Sequence, residues 1–573
     1  MKNIKFTLFS LLFIFLLTQC ETNNNSIQKP NIVIIMSDDM GFSDLSCYGG
    51  EIPTPNIDNL AMNGLRFTQF YNTARCCPTR ASLLTGLYSH QAGIGQMVSD
   101  RGTPAFKGDL SKNAVTIAEV LKMVGYSTYL SGKWHITPYD DSPSGIENPD
   151  KTNWPIQRGF DKFFGMISGA GSFFDPRSLA IDNEYIPPSK DFYFTDNVSE
   201  NAVKFINQNS KEDPFFMYVS YTAPHWPLHA LPEDILKYKG KYDIGWDKIR
   251  KERIDRMREM GLIKKEWKLS PRDSNVKDWE SEIEDREWEI RNMEVYAAMI
   301  DRMDYGIGQI INKLKEDGFY ENTLIFYLQD NGACSEELDW ISERKELEGA
   351  QSPMDPMEIQ TQMIPLKTRE GIPVKVMKKS LAGGPESYSA YGPSWANASN
   401  TPFREYKHFV HEGGIASPLV VHWPNSIKGK GDFRHEPSHL IDIMATCIEV
   451  SGARYPKKFN GYEIIPLEGL SLTPVFENKS LKREALYWEH EGNRAVRMGK
   501  WKLVSKAIKN NWTAWDKVDN LEINQWELFD MEKDRTELNN LSKEYPEKVK
   551  KMALMWDSWA KKTGALPLSL IHI

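Results

Sequence analysis

The strongest constraint on this chain is a rhythm: from Lys29 to about Gly452, short apolar runs alternate with helical stretches. The runs are Asn31 to Met36 (NIVIIM), Tyr126 to Leu130 (YSTYL), Phe215 to Tyr221 (FFMYVSY), Thr323 to Leu328 (TLIFYL) and Pro418 to His422 (PLVVH). Runs this short and this continuously apolar suit strands covered on both faces, so the alternation predicts an α/β fold with a large, mostly parallel central sheet flanked by helices. Four of them release polar residues: Ser37-Asp38-Asp39-Met40-Gly41, Gly132-Lys133-Trp134-His135, Ala223-Pro224-His225 and Gln329-Asp330-Asn331-Gly332. Open α/β sheets place their sites at the carboxyl ends of strands, so these groups are expected to converge.

The rest of the chain divides around that sheet. Residues 245–315 are charged and helical, ending in an amphipathic stretch from Tyr296 to Lys315; they predict a surface excursion whose charges form a solvated face, then a helix packed on the sheet. Residues 335–402 have no clear periodicity and contain Gly383-Gly384-Pro385 and Gly392-Pro393-Ser394, which suits the rim of an active site. From Ala453, the runs Ala485 to His490, Arg494 to Val504 and Trp526 to Phe529, followed by a charged helix from Pro546 to Lys561, predict a smaller C-terminal domain of antiparallel sheet plus helix. The expected boundaries are 29–452 for the catalytic domain and 453–567 for the small α+β domain. Leu568 to Ile573 (LSLIHI) matches the translation of a sequencing-adapter end and reads as an artefactual tail.

With 573 residues, 40% hydrophobic and 12% aromatic, the chain can bury a large core. A formal charge of −8 argues against nucleic acid as a partner. At the N-terminus, Lys2 and Lys5 precede an apolar run from Phe6 to Leu17, too short to span a bilayer permanently, which reads as a signal peptide over residues 1–19. Leu17-Thr18-Gln19-Cys20 resembles the bacterial lipoprotein signal, so residues 20–28 become a polar tether and the protein is expected to be exported to the periplasm or cell surface with a lipid anchor at Cys20. Of the six cysteines, Cys47, Cys334 and Cys447 are scattered without metal-ligand spacing and read as core residues. Cys76 and Cys77 are adjacent, a geometry that strains a disulfide.

Those two cysteines open the string Cys76-Cys77-Pro78-Thr79-Arg80-Ala81-Ser82-Leu83-Leu84-Thr85-Gly86. Pro78 suits the first position of a helix and Gly86 its stop, which puts Cys76 just ahead of a helix N-terminus where an anion is stabilised. Asp38, Asp39, Asp330 and Asn331 offer three carboxylates and an amide oxygen, a hard-oxygen set suited to Ca²⁺ or Mg²⁺ and, without histidine, not to zinc.

The string resembles the type I sulfatase signature Cys-x-Pro-x-Arg-x-x-x-Leu-Thr-Gly, in which the first cysteine is oxidised to formylglycine. Gly132-Lys133-Trp134-His135 and Lys407-His408-Phe409-Val410-His411-Glu412-Gly413-Gly414 extend the likeness over Pro30 to Pro424, and Asn400 to Lys407 together with Gly392-Pro393-Ser394-Trp395 look like the bacterial arylsulfatase branch. The resemblance implies the alkaline phosphatase-like sulfatase fold and one Ca²⁺ held by Asp38, Asp39, Asp330, Asn331 and the formylglycine made from Cys76 by a maturase. It implies that the hydrated aldehyde attacks sulfur, relieved of a proton by Asp330, while Lys133, Lys407 and the metal neutralise the sulfate oxygens. His225 would protonate the leaving oxygen, His135 would take the proton that lets sulfate depart, and Arg80 would hold the site in place. The substrate is then an aryl sulfate or a sulfated carbohydrate, with the segment from Ser172 to Ser178 and residues 335–402 shaping the leaving-group pocket through Phe173, Phe174, Tyr388, Tyr391 and Trp395.

Two other readings fit parts of the pattern. A phosphonate or phosphate monoester hydrolase of the same superfamily would accept a similar tetrahedral anion, although no second ligand set of His and Asp for another metal is apparent. A surface lipoprotein that binds sulfated glycans without turning them over would need no filled catalytic positions, and here each is filled.

Overall fold

The computed structural model describes residues 29–281, 283–341, 344–507 and 525–566. The signal, Cys20, the tether to residue 28 and the tail 568–573 lie outside the described residues. Strands β1 (Asn31–Ser37), β2 (Leu65–Tyr71), β3 (Ser127–Gly132), β4 (Lys162–Met166), β5 (Leu179–Ile181), β6 (Glu184–Tyr185), β7 (Phe215–Ser220) and β8 (Thr323–Gln329) form most of the central sheet. A two-residue pair, β9 (Lys375–Val376) and β10 (Ser387–Tyr388), stands apart, and β11 (Ala416–His422), β12 (Asp432–Arg434) and β13 (Ser438–His439) complete the sheet. Its order is β12-β2-β11-β8-β1-β7-β3-β4-β5-β6, with β13 also paired to β2.

Register puts the polar residues side by side. β1 pairs in parallel with β8 from Asn31 opposite Thr323 to Ser37 opposite Gln329, so Asp38 and Asp330 emerge together. β7 places Ser220 opposite Met36 on one side and Gly132 on the other, bringing Lys133 to the same edge. The expected strands are all present, and four are parallel. The fifth, β11, runs antiparallel between β2 and β8, so its beginning lies at that same edge.

Alternation along β1 shows why the run is continuously apolar. Val33 and Ile35 face one core layer, and Ile32, Ile34 and Met36 the other. Each such side chain contributes about 1.5–3 kcal/mol by leaving water. The helix Arg286–Glu316 covers the first face through Met299, Ile300, Met303 and Ile307. The helices Cys76–Thr85 and Ile441–Ser451 cover the second through Leu83, Leu84, Ile443 and Met444.

The charged stretch 245–315 departs from expectation. It holds two helices, Gly245–Glu259 and Arg286–Glu316, and its charges are not all solvated. Arg253 is fully buried, 2.6 Å from Asp44 and 2.8 Å from Glu51, and two carboxylates make that burial tolerable. Beside it Trp246 packs edge-on against Trp279 and Trp395, with ring centroids 4.7 and 5.4 Å away. The sequence offered only charge, and the partners come from distant segments.

After the short hairpin of β14 (Lys458–Phe459) and β15 (Tyr462–Glu463), the C-terminal part is an antiparallel sheet of β16 (Leu486–His490), β17 (Asn493–Met498), β18 (Trp501–Ser505) and β19 (Glu527–Asp530). The single run expected over Arg494 to Val504 is two strands, reversed at Gly499-Lys500, where Gly499 takes φ 54°. The helix Pro546–Thr563 packs on it, with Trp556 Nε1 donating to the Trp488 carbonyl at 2.8 Å.

Candidate active site

β2 ends at Tyr71, and after a short loop the chain enters the helix Cys76–Thr85, which stops at Gly86 with φ 67°. The helix starts two residues earlier than expected: Cys76 is its first residue and Pro78 its third. The first N–H groups of a helix have no intrahelical acceptor, so Pro78 gives up nothing there. Thr79 Oγ1 donates to the Asp330 carbonyl at 2.6 Å, tying this N-terminus to the end of β8. Cys76 is 3% exposed. Contact with the Cys77 thiol holds the Cys76 thiol well below its ordinary pKa, against burial, and Lys133 and His135 add to the effect.

Behind it lies a buried charge network. Arg80 is fully buried and reaches Asp330 Oδ2 at 2.9 Å and Asp38 Oδ2 at 3.2 Å through Nη2, while Nη1 meets Ser220 Oγ and the Lys133 carbonyl. Lys133 Nζ lies 2.5 Å from Asp38 Oδ2. Asp39, at φ 62°, turns its carboxylate to Asn331 Nδ2 at 2.7 Å and Lys407 Nζ at 3.0 Å. Burial would raise Asp38, yet Lys133 and His225 hold it below its ordinary value. Asp330 goes the other way, pushed well up by burial and by Asp38. Two oxygens in this cluster, Asp38 Oδ1 and Asn331 Oδ1, are buried with no hydrogen-bond partner among the described residues. The oxygen set also has a histidine neighbour, contrary to expectation: His225 Nε2 is 3.3 Å from Asp39 Oδ2, because the loop after β7 folds back over the edge of the sheet.

All the expected residues thus meet at one edge. His135 has φ 55°, and burial lowers its pKa to about 4. Its ring packs against Gly169, where a Cβ would come within 2.2 Å of Cε1. His225 Nδ1 lies 2.6 Å from the Trp226 carbonyl. Cys76, His135, His225 and Lys407 open into one cavity of about 230 Å³, whose wall also includes Trp226, Trp340 and Arg177.

Glu336 was invisible to sequence reasoning. It lies in the aperiodic segment, six residues past Asp330, and meets Lys407 at 3.5 Å, His408 Nε2 at 2.8 Å and Trp226 Nε1 at 2.8 Å. Burial would raise its pKa, but Lys407 and His408 hold it well below the carboxylate range. No spacing signal marks it; only Trp226, next to His225, had a visible neighbour.

The expected aromatic lining is corrected. Phe173, Phe174, Tyr388, Tyr391 and Trp395 are not in the cavity wall. Phe174 stacks at a tilt on Tyr193 and His229, Tyr391 on Tyr296, and Trp395 joins the tryptophan cluster, so they are packing residues. The segment 335–402 does supply rim residues, namely Glu336, Glu337, Trp340 and Met363.

Comparison with known proteins gives consistent results. The sulfatase family model matches residues 30–453, and the model described as N-sulphoglucosamine sulphohydrolase, C-terminal, matches residues 405–558. An uncharacterized sulfatase of Schizosaccharomyces pombe is 33% identical, over 94% of this chain and 95% of its own. An arylsulfatase of Klebsiella aerogenes is 32% identical, over 80% of this chain and 94% of its own. Among solved structures, Ps i-CgsB in complex with k-i-k-neocarrahexaose superposes with a TM-score of 0.62 at 24% identity, covering 93% of both chains, which is a likeness of fold.

Proposed function

The chain belongs to the sulfatase family of sulfuric ester hydrolases, and from that premise we propose that it uses a formylglycine made from Cys76 and a bound calcium ion to cleave aryl sulfates or sulfated carbohydrates. The observation that carries the metal is the pair of orphaned oxygens, Asp38 Oδ1 and Asn331 Oδ1. A buried oxygen without a partner is costly, and a hard cation satisfies both at once. With Asp39 and Asp330 alongside, the donor set fits Ca²⁺, which when bound would polarise the sulfate and the attacking hydroxyl. Converted and hydrated, residue 76 would supply that hydroxyl and, through its second one, let sulfate leave.

The remaining work falls to side chains in place. Lys133 and Lys407, anchored by Asp38 and Asp39, neutralise the sulfate oxygens. Asp330, its Oδ2 held 2.9 Å from Arg80 Nη2, would take the proton from the attacking hydroxyl. Arg80 fixes Asp330 and Asp38 relative to each other. His225 Nδ1 faces a carbonyl and so carries a proton, which leaves Nε2, 3.3 Å from Asp39 Oδ2, as the atom that would hand a proton to the leaving alcohol. His135, kept neutral by burial, accepts the proton whose loss expels sulfate.

Steady-state turnover of 4-nitrophenyl sulfate against 4-nitrophenyl phosphate tests the reading. Sulfate is expected to be preferred by about 10²-fold or more in kcat/KM, since two lysines and one divalent ion match a monoanion. A preference for the phosphate would make this a phosphate ester hydrolase. The N-terminal leader supports export with a lipid anchor at Cys20; a Cys20→Ser variant that stayed membrane-bound would remove the anchor.

A further inference from the structure

Among the described residues, the cationic side chains lining the cavity are paired with carboxylates, with one exception. Lys407 is held by Asp39 and Glu336, Arg75 by Glu491, and His225 by Asp39. Arg177 also lines the cavity, but among the described residues no carboxylate comes within ion-pair distance of it. Its Nε donates to Ser168 Oγ at 3.1 Å and its guanidinium lies 5.1 Å from the Tyr139 ring centroid. Its Nη groups meet no protein acceptor among the described residues. Burial lowers its pKa, whereas Arg75, which burial would also lower, is raised by Glu491 and Glu336.

The position is built. Ser168 Oγ accepts from both Arg177 Nε and Ser178 Oγ, at 3.1 and 2.8 Å, and the Ser168 amide donates to Ser178 Oγ at 2.9 Å, which pins the two ends of the loop between β4 and β5 together. The next residue, Gly169, packs on His135, so the loop that carries the guanidinium is anchored beside the catalytic groups in the same cavity. The same cavity is lined by Trp226, Trp340, the latter 46% exposed, and Met363.

We propose that Arg177 determines specificity by binding a second anionic group on the alcohol, so that the substrate is a sulfate ester whose leaving group carries its own carboxylate or a further sulfate. A planar guanidinium with free Nη donors matches either oxyanion in bidentate fashion. Trp226 and Trp340 provide faces for the ring that carries it. This rests on the sulfatase reading and narrows it.

Three aryl sulfates test it: one with a neutral phenol, one with a carboxylate on the ring and one with a second sulfate. Their kcat/KM values are compared in the converted, calcium-loaded parent, Arg177→Met and Arg177→Lys. The ratio of anionic to neutral substrate is expected to fall about tenfold or more in Arg177→Met, chiefly through KM, and less in Arg177→Lys, which keeps the charge but loses the fork. Whichever anion shows the larger fall identifies the native group. A ratio within twofold of the parent for both anions overturns the proposal. Binding of the corresponding desulfated phenols, measured by calorimetry, needs no turnover. Equal affinity of parent and Arg177→Met for the anionic phenols overturns the Arg177 assignment alone, whereas a parent inert toward all three sulfates overturns the sulfatase reading.

Discussion

Lys133 Nζ stands 2.5 Å from Asp38 Oδ2, and neither side chain has any exposed surface. A buried charge left with no partner costs about 3–5 kcal/mol, and Lys133→Ala costs less than that because Asp38 keeps Arg80 at 3.2 Å. Lys133→Ala is therefore expected to lower the unfolding midpoint as well as kcat/KM for aryl sulfates, the latter by about 10²–10³. The double variant Lys133→Ala/Asp38→Asn should recover part of the midpoint and none of the activity. Denaturation and steady-state kinetics on the parent and the two variants check this; activity of Lys133→Ala within tenfold of the parent would remove Lys133 from the site.

Gly169 offers a purely steric probe. A Cβ there would lie 2.2 Å from His135 Cε1 and 2.3 Å from Nε2, and the imidazole must move to admit it. A misplacement of about 1 Å can cost on the order of 10²-fold in rate. Gly169→Ala should thus lose about 10–100-fold in kcat while the far-ultraviolet spectrum stays unchanged. Unaltered kcat would show that His135 does not need its present position.

Calcium should act on stability through the same oxygens that leave Asp38 and Asn331 unsatisfied. At a hundredfold excess over its dissociation constant, a ligand specific for the folded state adds about 2.7 kcal/mol. The parent should therefore melt higher in calcium than in chelator, and Asn331→Leu should show a much smaller difference. Equal calcium shifts in the two proteins would move the metal elsewhere.

Much of this was legible because strand chemistry is local. An apolar run followed by Asp38-Asp39 or Asp330-Asn331 announces a strand end, and β-sheet register does the rest. Lys407 was visible only through its motif, since it precedes the antiparallel strand β11 and no periodicity points at it. Glu336, Trp340 and Arg177 fall in segments expected to shape the pocket, but nothing in the sequence singles them out: they lie on aperiodic loops, and Glu336 finds its partners at Lys407, 71 residues downstream, and Trp226, 110 residues upstream. The burial of Arg253 was missed for a similar reason, because its carboxylates, Asp44 and Glu51, lie some two hundred residues upstream. Aromatic residues misled in the opposite direction, as Trp395 and Tyr391 serve the core.

Acid sensitivity should trace to Glu412, which accepts from Lys502 at 2.9 Å and Arg535 at 2.8 Å and joins the Glu-Gly-Gly turn to the C-terminal sheet. Burial would raise its pKa, but Lys502 and Arg535 bring it from 4.5 to about 2. A carboxylate depressed in the folded state stabilises it fully above its unfolded pKa and ceases to do so as pH falls through the folded value. The contribution, of order 3 kcal/mol at about 1.36 kcal/mol per pH unit, is therefore lost between pH 4.5 and about 2. Glu412→Gln should be less stable than the parent at pH 7 and show a flatter curve across that window. Parallel curves from denaturant titrations would assign the acid sensitivity to other groups.

The oxygen that displaces the alcohol is assigned to residue 76, and one measurement reaches that assignment directly: turnover of 4-nitrophenyl sulfate by Cys76→Ala, folded and calcium-loaded, beside parent protein whose Cys76 peptide carries the aldehyde by mass spectrometry. The account predicts a loss of about 10⁴-fold or more in kcat, since the hydroxyl that attacks sulfur is assigned to residue 76. Hydrolysis by the alanine variant at the parental rate would contradict it.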